Sequence, residues 1–188
     1  MAEKKYEIHR VKDEDRFRVG MELTRGLRKV DGREMELAGV EPSFGCMMSV
    51  MRTPDVWAAR EKKGGGLIAV WGIKEVTLEE AMELVSVKGL SYGEMFRGRD
   101  AIQELAGGRL VWCLGTPRIK AHKLAFVMES KRILSRWARK YGVLWNYVAS
   151  FNQDALAWLE WCGAEFFELP AWKGRKERFV RFEIRGGE

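Results

Sequence analysis

The sequence is short of the residues that hold metals and build disulfide frameworks. Its 188 residues include three cysteines, two histidines and four prolines. Cys46, Cys113 and Cys162 are widely spaced and form no C-x-x-C pair. His9 and His122 are the only histidines, so no metal-ligand spacing exists and no metal site is expected. The thiols read as buried structural residues, and a Cys–His nucleophilic pair has no support in the spacing. No apolar run approaches the roughly 20 residues of a membrane span. The start, Met1 to Lys5, lacks the apolar region of a signal peptide, which predicts a protein of the cytosol or of something assembled from it. Strong charge of one sign is also missing. A net charge of +6 permits an acidic partner without naming one, and the lysines and arginines are spread along the whole chain.

Against these absences, 46% hydrophobic residues, 32% charged residues and eight tryptophans describe a chain able to build a core, expected as one domain over 1–188. Tyr6 to Arg10 reads as a first strand. Asp13 is placed to cap a helix from Glu14 toward Leu27, with Phe17, Gly20, Met21 and Thr24 on one side. Pro42 opens a second helix through Met51, with Phe44, Met47, Met48 and Met51 as its apolar face. Val56–Arg60 and Gly66–Ile73 read as strands joined by a hairpin whose glycines supply positive φ. That triple-glycine turn leads into a strand rather than a helix, which argues against a phosphate cradle.

Thr77 and Glu80 have capping-box spacing before a helix to Val85. A polar, glycine-rich stretch follows, with a short helix around Asp100 to Leu105, so that 76–108 reads as a helical insertion. Arg109–Leu114 is a further strand. Lys120 to Tyr141 is the longest helix, with Leu124, Val127, Leu134, Trp137, Ala138 and Tyr141 inward. Arg132, Arg136 and Arg139 form an outer basic stripe, which is a solvated face or a set of phosphate contacts. Val143–Ala149 is a buried strand. Asn152 then caps a helix with Asp154 in its first turn, Ala155, Trp158, Leu159 and Cys162 on one face, and Gly163 at its end. Two last strands follow. The second, Arg178–Ile184, has Val180, Phe182 and Ile184 inward and Phe179, Arg181 and Glu183 outward.

This order, together with Asn152, Ala155 and Gly163, resembles the GNAT (GCN5-related N-acetyltransferase) superfamily, whose pattern here is N-x-x-A-x-x-x-Y-x-x-x-G-F. The resemblance implies an α/β (α+β) fold: a mixed, mostly antiparallel sheet of about six to seven strands flanked by about four helices. Leu159 stands at the tyrosine position and Ala164 at the phenylalanine position. In many members that tyrosine protonates the departing CoA thiolate, which leucine cannot do.

The family also binds the acetyl-CoA pyrophosphate on backbone N–H groups of a Q/R-x-x-G-x-G/A loop before the long helix. Here Arg118 stands for the leading residue, while Ala121 and Lys123 take the small positions and Pro117 removes a donor. If acyl-CoA binds, the resemblance implies Leu114, Gly115, Thr116, Arg118, Lys120, Lys123 and Asn152 as the residues that hold it. No catalytic residue can be assigned. Glu75, Glu79 and Glu83 read as solvated carboxylates.

A further likeness is to GNAT-like proteins of short-tailed phages, some of them internal virion or head-assembly proteins. It rests on Ala69–Ile73, Leu114–Thr116, His122, Phe126, Leu144–Val148, Asn152, Trp158–Trp161 and Arg178–Phe182. It implies a non-catalytic protein of the host cytoplasm or virion that has no cofactor and has other phage structural or assembly proteins as partners. The alternatives are an active acyl-CoA-dependent N-acyltransferase with an atypical loop, and nucleic-acid binding through Arg132, Arg136 and Arg139.

Overall fold

The computed structural model describes residues 5–87, 106–169 and 173–186, the side chains of 83–87 excepted. The short helix expected around Asp100 to Leu105, and most of the expected insertion, lie outside the described residues.

In chain order the elements begin with β1 (Tyr6–Arg10), α1 (Arg16–Gly26), α2 (Lys29–Leu37), α3 (Pro42–Arg52), β2 (Asp55–Glu61) and β3 (Leu67–Glu75). They continue with α4 (Leu78–Val87), β4 (Arg109–Gly115), a 3-10 turn (Pro117–His122), α5 (Lys123–Tyr141) and β5 (Val143–Ala149). The last are α6 (Gln153–Trp161), β6 (Glu165–Glu168) and β7 (Phe179–Arg185). The strands form one seven-stranded mixed sheet in the order β1-β2-β3-β4-β5-β7-β6. The β4–β5 pair is parallel, whereas β1–β2, β2–β3, β5–β7 and β6–β7 are antiparallel. The expected α/β class and mixed sheet are thus observed. Six α-helices are present among the described residues; α4 lies in the expected insertion, and α2 is a separate helix between the two expected before β2.

By contacts the chain divides into two compact units, residues 1–74 with 112–126 and residues 75–111 with 127–188. In the first, Val19 and Leu23 of α1, Cys46 and Val50 of α3, and Val56, Ala58, Leu67 and Val70 of β2 and β3 form a core. Trp112 and Leu114 pack against it. This corrects two expected faces. Phe17 is 64% exposed and Phe44 61%, while Arg16, Val19, Gly20 and Leu23 turn inward on α1 and Gly45, Cys46 and Val50 on α3. The cause is close approach of the two helices: a Cβ on Gly20 would lie 2.8 Å from the Met47 sulfur. Gly20 leaves room for the Met47 side chain, and Phe17 and Phe44 stay outside.

Arg16 is buried for a reason that periodicity does not register. Its Nη1 donates to Val50 O at 3.0 Å and to Thr53 O, and its Nη2 donates to Pro54 O at 2.7 Å. A cation therefore sits at the C-terminal end of α3, where unpaired carbonyls collect. The β2–β3 hairpin turns through Gly64 and Gly65, at φ of 80° and 64°, as the glycine run predicts.

In the second unit the Thr77–Glu80 capping box forms in both directions, with N–H bonds of 3.1 Å. The Asn152 side chain caps α6 by accepting from Ala155 N–H at 3.3 Å, and Gly163 ends the helix at φ of 89°. β5 and β7 pair along their whole lengths, from Val143↔Arg185 to Ala149↔Phe179. Both faces of β7 are covered, which corrects the expected alternation: Phe179 and Glu183 are buried along with Phe182 and Ile184. Glu183 is tolerated there because Arg181, at 2.9 Å, and Arg185, at 2.6 Å, hold its two oxygens. The expected long helix begins as the 3-10 turn and becomes α-helical only at Lys123. Leu124, expected inside, is 78% exposed, whereas Leu134 and Ala138 are buried as expected.

Candidate functional site

The loop after β4 carries most of the residues singled out in the sequence, all in the first unit. Leu114 packs against the core. Gly115 is fastened through both of its backbone groups. Its N–H donates to the Asp31 carboxylate at 3.0 Å, and its carbonyl accepts from Arg28 N–H at 3.0 Å. Arg28 also grips Asp31 with two parallel bonds of 2.9 and 2.7 Å. Asp31 is only 4% exposed, so this is an interior ion pair whose carboxylate is satisfied from two sides. A Cβ on Gly115 would meet Arg28 Nε at 3.0 Å, so glycine here makes room for the clamp.

Thr116 is buried and ties the next residue to β3. Its N–H donates to Ile68 O at 2.9 Å and its hydroxyl to Leu67 O at 2.7 Å. The same hydroxyl accepts from Arg118 N–H at 3.3 Å, and Thr116 O accepts from Ile119 N–H at 3.1 Å. Pro117 has no N–H to offer. The turn that follows is a 3-10 helix, which forms by satisfying its own donors at i→i+3 spacing.

Arg118, exposed over 55% of its side chain, donates to Glu61 Oε2 at 2.8 Å. His122 Nε2 lies 3.1 Å from the other oxygen of Glu61, and the ring of Tyr6 meets His122 edge-on at 6.1 Å. The hydrogen bond from His122 holds the Glu61 carboxyl below the usual carboxylate range, with Arg118 adding to the effect against partial burial. Gly66 has no side chain where one would collide with this pair, since its Cβ would fall 2.8 Å from Arg118 Nε. Lys120 and Lys123 are exposed.

Asn152 lies in the second unit, buried, with its side chain spent on the α6 cap. Leu159 is 3% exposed and apolar. Of the carboxylates, Glu75 pairs with Arg109 at 3.5 Å and Glu79 is exposed, while the side chain of Glu83 lies outside the described residues. Burial pushes the thiols up, Cys46 and Cys162 to about 11 and Cys113 to about 12, so none is a ready nucleophile at neutral pH. Among the described residues no group of three or more His, Cys, Asp or Glu side chains could hold a metal ion.

The amides of Gly115, Thr116, Arg118 and Ile119 all have partners inside the chain. Sequence reasoning found the loop but missed Asp31, Arg28 and Glu61, which occupy it. The one legible hint was the i,i+3 spacing of Arg28 and Asp31, and spacing alone does not say that the pair is buried.

The fold is similar to that of solved N-acetyltransferase structures. The chain is similar to a GCN5-related N-acetyltransferase from Kribbella flavida, at 10% identity over 97% of this chain and 98% of that chain, with a TM-score of 0.56. It is similar to a spermidine N-acetyltransferase from Vibrio cholerae solved with CoA and spermine, at 13% identity over 97% and 96%, TM-score 0.55. A third is a GNAT-family acetyltransferase from Bacillus anthracis, at 12% identity over 97% and 95%, TM-score 0.53. At such identities the likeness is one of fold. No family model matches the sequence, and no curated protein matches it. No described helix is long and apolar enough to cross a membrane.

Proposed function

We infer that this chain is a GNAT-fold protein with a degenerate acetyl-CoA site, acting through protein contacts in phage virion assembly or within the virion rather than by acetyl transfer. The observation that carries the first part is the closed loop after β4. A pyrophosphate needs unpaired N–H groups, and here Asp31, Ile68 O and Thr116 already accept from them. Leu159 at the tyrosine position removes the usual thiolate acid as well. The phage context rests on the sequence likeness alone, and it gives host cytoplasm or virion as the place and other phage structural proteins as the partners.

The test is isothermal titration of the full chain with acetyl-CoA. No saturable heat is expected, and clear micromolar binding would overturn the reading.

A second reading has one observation in its favour. Arg118, Lys120 and Lys123 are exposed cations at the start of α5, and they could hold CoA phosphates by side-chain charge in place of backbone donors. It requires Arg118→Ala with Lys123→Ala to abolish both CoA binding and CoA release in the presence of amines. Background turnover with a panel of amines would end it. The CoA and spermine of the Vibrio cholerae structure belong to that protein.

A further inference from the structure

The outer end of the β2–β3 hairpin gathers positive charge around the Glu61 carboxylate. Lys62 and Lys63 lie at the turn, and Lys62 N–H donates to Lys5 O at 3.0 Å, which brings Lys5 alongside. Glu61 pairs in register with Tyr6, and Arg118 and His122 reach the two oxygens of Glu61 from the loop before α5. The lysines and Arg118 are exposed. Strand alternation turns Arg60 to the opposite face, where it is bound to Glu22 by bonds of 3.0 and 2.6 Å, so the cluster does not extend to a second acid there. Tyr6, half-buried beside His122, adds an aromatic ring at the edge of the charged surface.

We propose that this surface binds the phosphate backbone of a single-stranded nucleic acid, with Lys5, Lys62, Lys63 and Arg118 as the phosphate contacts and Glu61 as a built-in counter-charge that weakens them. The chemistry is charge complementarity: exposed cations on three neighbouring segments match a polymer carrying one negative charge per nucleotide. The proposal uses none of the Arg132–Arg136–Arg139 stripe of α5. It also stands apart from the CoA question, because Lys5, Lys62 and Lys63 lie outside the loop that a CoA phosphate would need.

Glu61 gives the proposal a signature of opposite sign to the lysines. A bound phosphate competes with the carboxylate for Arg118, so neutralising Glu61 should strengthen binding while reversing the lysines weakens it.

The experiment measures anisotropy of a fluorescein-labelled single-stranded DNA of about 20 nucleotides against the full chain across salt concentrations. Four phosphate contacts predict a loss of affinity of about 50-fold between 50 and 200 mM salt. Lys62→Glu with Lys63→Glu should roughly halve the slope of log affinity against log salt. Glu61→Gln should tighten binding several-fold, whereas Glu160→Gln, the same charge change on exposed α6, should leave it unchanged. Circular dichroism checks that each variant is folded. The proposal is overturned by absence of binding at low salt, or by loss of binding on reversing Arg132, Arg136 and Arg139 instead. Equal tightening by Glu160→Gln, or binding to vesicles rich in anionic lipid but not to the oligonucleotide, would also overturn it.

Discussion

Asp31 sits inside a helix whose sequence, KVDGREMEL, marks it as one more surface acid. Its burial at 4% exposure follows from two partners that reach it from different parts of the chain, the Arg28 guanidinium and the Gly115 N–H. Asn would keep the shape but lose the charge, leaving Arg28 largely buried without its counter-ion. Asp31→Asn should therefore cost about 3 kcal/mol of stability, read as a lowered urea midpoint with an unchanged m-value. Leu159 makes the complementary point. Introducing the tyrosine of the GNAT pattern by Leu159→Tyr places a larger, polar side chain in a site that is 3% exposed. It should cost about 1–3 kcal/mol in thermal or urea unfolding, and CoA release from acetyl-CoA should stay at background. Asn152 and Gly163 were legible from sequence because capping is a local interaction. Asp31 was not, because its role depends on a residue 84 positions away.

At the scale of elements, helix existence was easier to read than helix rotation. The apolar faces assigned to α1 and α3 point outward at Phe17 and Phe44, while Gly20 on α1 leaves room for Met47 of α3, whose sulfur would lie 2.8 Å from a Cβ there. The buried Arg16 belongs to the same arrangement. It joins the start of α1 to the carbonyls that end α3, and so determines which side of α1 turns inward. Arg16→Ala should cost about 2–3 kcal/mol, since carbonyls bonded to a charged donor lose it without access to bulk water. Lys cannot fork among several acceptors, so Arg16→Lys should recover only part of the loss in the same urea titration. The loop after β4 shows the corresponding effect in a connection. Its proline and threonine favour a tight turn, and a 3-10 turn uses inside the chain the donors that an open loop would present.

Over the whole molecule, charge is balanced by pairs that cross between elements, and this sets the response to acid. Glu22 is held below its ordinary value of 4.5: burial pushes it up, and the two bonds from Arg60 outweigh that. Glu61 is lowered by His122 and Arg118. A carboxylate with a depressed folded-state pKa lends stability that is complete above its unfolded value and disappears as pH falls through the folded one. The melting temperature should accordingly hold from neutrality to about pH 5 and then fall. Glu22→Gln should lower the plateau and flatten the acid limb, as followed by circular dichroism across pH. A variant whose acid limb matches the parent would show that the Arg60 pair contributes nothing.

The sequence by itself determined the succession of strands and helices apart from α2, the capped α6 and the hairpin glycines, because periodicity, capping and positive φ act within a few residues. Only the tertiary structure decided whether the loop after β4 keeps donors for a ligand. Asp31, Leu67 and Ile68 lie far from that loop in the chain and next to it in space. Hydrogen-bond donors are used up by whatever is adjacent in three dimensions, and that adjacency is set by how the sheet and helices pack.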